Sequence, residues 1–110
     1  MANTFKNAVS AAVGTAQTSV YTVPSATTTT VIGLTVANIT SSEITVDVVV
    51  TDTSATTTVH LVKGAAVPVG GALVPVGGDQ KVVLEATDII KVTSSASSSA
   101  DVIVSVLEQT

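Results

Sequence analysis

The chain has 110 residues and a formal net charge of −4, with no cysteine, no tryptophan and only 2% aromatic residues. That length makes one domain, and the composition excludes a disulfide framework, thiolate chemistry and an aromatic platform for stacking bases or sugars. The four lysines (Lys6, Lys63, Lys81, Lys91) are scattered, so no basic stripe points to nucleic acid, and the apolar runs are far too short to point to a membrane.

Residues 1–7 (MANTFKN) read as a short polar N-terminal arm without the apolar stretch of a secretory signal. Residues 8–110 read as a single sandwich domain. Extended segments are predicted at Ala8–Val13, Ser19–Val23, Thr28–Asn38, Ile44–Asp52, Thr56–Val62, Lys81–Ala86, Ile89–Thr93 and Asp101–Glu108, with a short further strand around Val67–Val76. β-Branched residues dominate these runs, which favours pleated backbone over helix. The hydrophobic period is two: Ile44, Val46, Val48 and Val50 point one way, Thr45, Asp47 and Thr51 the other. Turn-forming residues recur between the runs, at Pro24-Ser25, at 39–43, at 52–55 and in the Ser/Ala stretch 94–100. About eight strands at this spacing predict an all-β, antiparallel, jelly-roll-like sandwich. The expected core includes Ile32, Leu34, Val36, Ile44, Val46, Val48, Val82, Leu84, Val102 and Val104.

The motif VPVGG occurs twice, at Val67–Gly71 and Val74–Gly78. Proline cannot donate to a ladder and paired glycines permit a sharp turn, so the segment reads as an edge strand or crossover. A phosphate loop would need a helix after Gly78 and Lys81, and no helical pattern follows. The last run is apolar on both faces, with Val102, Val104 and Val106 opposite Ile103 and Leu107. Such a strand is central in a covered sheet or pressed against another subunit.

Catalytic chemistry finds little support. His60 is the only imidazole, one histidine does not make a zinc site, and GxSxG is absent. The acids do not cluster in sequence. Asp79, Glu85 and Asp88 are expected to bracket one hairpin, where aspartate commonly caps a turn and could also bind calcium. Asn38-Ile39-Thr40 matches a glycosylation sequon. The reading is a non-enzymatic protein with no cofactor, no metal site and no catalytic residue.

Four stretches carry a resemblance: MANTFKN, VYTVPSATTTTVIGLTVAN (Val20 to Asn38), VPVGGDQKVVLEATDIIKVTSSA (Val74 to Ala96) and the closing DVIVSVLE. Together they resemble small β-sandwich virion proteins of tailed bacteriophages, over most of the chain. Thr87 stands where glycine is common in the corresponding hairpin of such proteins. The resemblance implies a virion structural protein, assembled in the host bacterial cytoplasm and carried on the particle. Its expected role is capsid decoration (cement), stabilising the head by contacts to the major capsid protein and to further copies of itself. A neck or tail accessory ring or a fibre-base protein is the alternative, and a host-surface or glycan-binding module is the rival from another class. Contacts are expected at Phe5 on the arm, at Val67, Pro68, Val69, Val74, Pro75 and Val76 of the VPVGG pair, and at Val49, Ile103 and Leu107 on exposed strand faces.

Overall fold

The computed structural model describes residues 2–77 and 81–110. Among the described residues nine strands follow in chain order: β1 (Asn3–Val13), β2 (Thr18–Thr22), β3 (Thr28–Asn38), β4 (Ile44–Asp52), β5 (Thr57–Val67), β6 (Ala72–Val76), β7 (Val82–Leu84), β8 (Ile89–Ser94) and β9 (Ala100–Gln109). They form two antiparallel sheets. One runs β1-β9-β3-β6, with β7 also paired to β3, and the other runs β2-β8-β4-β5. The chain changes sheet repeatedly, so the first and last strands become neighbours. This strand order is that of a jelly roll. β7 pairs with Thr29–Val31 and β6 with Leu34–Ala37 of the same strand β3. These two short strands share one edge lane, so nine strands fill eight positions.

The two sheets close on an aliphatic core of Val13, Val23, Val31, Leu34, Val36, Ile44, Val46, Val48, Leu84, Ile90, Val92, Val102, Val104 and Val106, among others. Nearly every one is in phase on the inner face of its strand, as the period of two requires. The exception to the expected set is Ile32. β3 slips register against β9 between Val31 and Gly33, and the extra residue of this bulge turns Ile32 outward while Val31 takes the core position. Val82 is half-buried and packs on the rim of the core.

Two further expectations change. The stretch set apart as an arm is ordered strand: β1 begins at Asn3 and stays in unbroken register with β9 through Ser10. The segment 81–93 is a corner rather than a hairpin, because β7 belongs to one sheet and β8 to the other. The corner turns at Glu85–Asp88, where Asp88 N donates to Glu85 O at 3.1 Å and Thr87 has φ of 70°. The same backbone grips Val23, through Val23 N to Asp88 O at 2.9 Å and Thr87 N to Val23 O at 3.1 Å. The first VPVGG copy makes another of the crossings, from β5 to β6. Gly71 N donates to Pro68 O at 3.0 Å, and Gly70, with φ of 72°, supplies the left-handed residue of a type II turn between β5 and β6. Pro75 lies in edge strand β6, where a missing N–H is tolerated. Gly78 and Asp79 lie outside the described residues.

Candidate interaction surface

The outer faces of the two sheets differ sharply. On the β4 sheet, Thr45, Asp47, Thr51, Thr58, His60, Lys91 and Thr93 make a polar, charged face. On the β1-β9-β3 sheet the register places Phe5 beside Leu107, Leu107 beside Thr30, and Thr30 beside Val83. A second row sets Val9 beside Ile103 and Ile103 beside Thr35. Phe5 is 75% exposed, Val9 66%, Val83 65% and Ile103 43%. Val9, Thr35, Ala37 and Ile103 help to line a shallow depression of about 280 Å³.

Charge is nearly absent from this face. Among its paired strands the only charged residues are Lys6, Asp101 and Glu108. Asp101 is committed to β1: its carboxylate accepts from Ala12 N at 2.9 Å, where Ala11 and Ala12 bulge opposite it. Lys6 and Glu108 lie on the inner side, in phase with the core positions. There they tie the sheets together. Tyr21 of β2 donates to Glu108 at 2.6 Å and lies 2.9 Å from the Thr29 hydroxyl, while Lys6 Nζ lies 3.1 Å from the other Glu108 oxygen. The hydrogen bond from Tyr21, seconded by Lys6, holds the Glu108 carboxyl below the usual carboxylate range despite its burial. Burial, reinforced by Glu108, pushes the Tyr21 phenol up to about 12. The sequence alone does not announce this cluster, although Glu108 is in phase with Val102, Val104 and Val106.

The expected contact residues separate into two groups. Phe5, Pro68, Val69, Val74 and Ile103 are exposed, and Pro75 and Leu107 are half-buried. Val49, Val67 and Val76 are buried in the protein's own fold. Val67 closes β5 against Ile44, and Val76 faces inward opposite Leu34. Val49 does lie on the outer face, but in register between His60 and Lys91, whose longer side chains flank a small one. Val9 and Val83, not expected as contacts, belong to the apolar face. Their signal was the alternation of β1 and β7, which puts each opposite an inward neighbour.

Other polar clusters are structural. Among the described residues, Asp52, Glu85 and Asp88 bring carboxylate oxygens within 4.8 Å of one another and could offer ligands to a cation. Asp52 and Asp88 already serve the backbone, and Glu85 accepts from Ser54 Oγ at 3.3 Å. Asp88 accepts from Thr53 N at 3.1 Å and Glu85 N at 2.9 Å, and Asp52 accepts from Ala55 N at 3.0 Å and Ser54 Oγ at 2.8 Å. These bonds to Asp52 hold its carboxyl below its ordinary range. The sequon residue Asn38 is 7% exposed and works as a staple. Its amide donates to Ser42 O at 2.8 Å and Val67 O at 3.0 Å, and its oxygen accepts from Thr40 N at 2.8 Å.

The chain matches no family model, and no curated protein or solved structure matches it.

Proposed function

We propose that this protein is a non-enzymatic structural component of a tailed-phage virion, a capsid decoration protein that binds the head in repeated copies. The observation that carries this reading is the broad, nearly uncharged outer face of the β1-β9-β3 sheet. A row of exposed Phe and Val side chains on one face, against a charged face opposite, is the pattern of a surface made to be covered. Neutral side chains cost little to desolvate, whereas an unpaired charge would cost several kcal/mol, roughly. The resemblance of the four stretches to phage virion proteins supplies the setting. The shallow shape of the face suits a flat protein partner better than a small ligand, which prefers a deep concave pocket.

The test is reconstitution. Purified protein is added to particles that lack it, and bound copies and the heat stability of the head are measured. Saturable binding with a raised disruption temperature is the expected result. Particles that neither take up the protein nor gain stability would refute the reading.

A further inference from the structure

We propose that the free edge of β1 pairs with the β1 edge of a second copy, antiparallel about a two-fold axis at Asn7, to make one continuous sheet across a dimer. This deepens the self-assembly part of the reading above, but it stands on the edge itself and needs no particle.

The strand edges of the sandwich are not equally protected. β7 has three residues, β6 has five and carries Pro75, and β2 has five and slips register between Ser19 and Tyr21. β5 is long, but it is irregular against β4 and bears His60 and Lys63. These are the usual devices against edge-to-edge pairing. From Asn3 to Ser10, β1 carries only one of them, the inward-facing Lys6. It has no proline, its register with β9 is unbroken there, and its single charge, Lys6, is turned toward Glu108. Among the described residues no strand covers its outer side.

The hydrogen-bond phase identifies which groups are free. Ala2 and Thr110 exchange both backbone bonds, at 3.3 and 3.0 Å. In an antiparallel ladder such pairs alternate, so Thr4, Lys6, Ala8 and Ser10 bond to β9. Asn3, Phe5, Asn7 and Val9 therefore direct their N–H and C=O groups outward. A second β1 must offer the same odd-numbered residues.

One register satisfies the side chains as well. Centred on Asn7, it sets Phe5 of each copy against Val9 of the other, on the outer face, and Asn7 against Asn7. Lys6 then falls opposite Ala8. Centring on Lys6 instead would oppose two lysines and set Phe5 against Asn7, and like charges directly opposite are destabilising. Centring on Phe5 shortens the overlap to Asn3–Asn7. The favoured register adds about six backbone hydrogen bonds and joins the apolar rows of the two copies across the axis. A strand of this length, roughly 25–30 Å, supports a small interface whose dimer dissociates on dilution.

The chain contains no cysteine, so Asn7→Cys introduces a sole thiol. Hydrogen-bonded antiparallel partners lie about 5.5 Å apart between Cα atoms, within disulfide reach. Sedimentation velocity from about 10 µM to 1 mM, the range in which a small interface dissociates, should show a monomer–dimer equilibrium. Asn7→Cys should oxidise to a covalent dimer much faster than Thr58→Cys, placed on the far edge strand. Asn7→Lys, which opposes itself across the axis, should weaken the dimer at least tenfold with an unchanged circular dichroism spectrum. A wild-type monomer throughout that range, equal cross-linking of the two cysteine variants, or a folded Asn7→Lys that dimerises as well as wild type would overturn the proposal. None of these measurements uses a particle, so a failure of self-pairing and a failure of decoration read out separately.

Discussion

Ile32 and Leu34 are two residues apart and equally apolar, yet only Leu34 is fully buried. The difference is one bulge residue in β3. Leu34→Ala should cost about 2–5 kcal/mol through lost burial and a residual cavity, while Ile32→Ala, on the outer face, should cost well under half of that. Chemical denaturation of both variants checks this, and equal losses would contradict the observed register. The phase of β4 and β9 was legible in the sequence because their inner positions alternate cleanly. The bulge in β3 was not, because Val31-Ile32 offers two apolar residues in a row and nothing local selects between them. The Tyr21–Glu108–Lys6 cluster sets a pH window. Glu108 is held below its unfolded range, so its stabilisation is complete above about pH 4.5 and is lost as the carboxyl protonates in acid. Tyr21 has the opposite sign. Its phenol is raised to about 12, so its neutral form stabilises the fold below about pH 10, and that is lost as the pH climbs toward 12. Melting temperature against pH should therefore fall on both sides of a plateau. Glu108→Gln should flatten the acid limb and Tyr21→Phe the alkaline one; limbs unchanged in both variants would place the titration elsewhere.

Among the elements, the strands announced themselves and the connections did not. Thr28–Asn38 and Ile44–Asp52 were legible to the residue, because β-branched alternation stops where turn residues begin. The ends of β1 and β5 were missed. In β1 the polar residues Asn3, Thr4, Lys6 and Asn7 hid a strand whose ladder bonds need only backbone. In β5 the predicted run ends at Val62, but the strand continues to Val67 through a bulge at Lys63-Gly64, with Gly64 at φ of 62° and its N–H given to Asp47 at 2.6 Å. The corner at Glu85–Asp88 was read as a hairpin because turn chemistry alone does not say which sheet the next strand joins. Its Thr87 occupies a left-handed conformation at φ of 70°, which costs a β-branched residue about 1–3 kcal/mol. Glycine there relieves the strain at an unfolded-state entropy cost of about 0.4–1 kcal/mol. Thr87→Gly should therefore raise the melting temperature by a few degrees, and a lower one would show that the hydroxyl contact to Thr53 outweighs the backbone strain.

At the scale of the whole molecule, the jelly roll is the consequence of alternating strands that switch sheets at most of their connections, the turns at Pro68–Gly71 and Glu85–Asp88 among them. That order brings β1 and β9 together and makes β9 an interior strand, so the apolar residues on both of its faces have different destinations. Val102, Val104 and Val106 fill the core, while Ile103 and Leu107 join Phe5 and Val9 on a face that no other strand covers among the described residues. The sequence showed that such residues exist, but only the register shows that they share one surface. The most direct measurement of what that surface does is particle binding by Ile103→Asp beside Thr58→Asp, which puts the same charge on the opposite sheet. Both should fold. Ile103→Asp should lose most of its binding to particles that lack the protein while Thr58→Asp binds as wild type does, and full binding by a folded Ile103→Asp would contradict the assignment of this face as the contact surface.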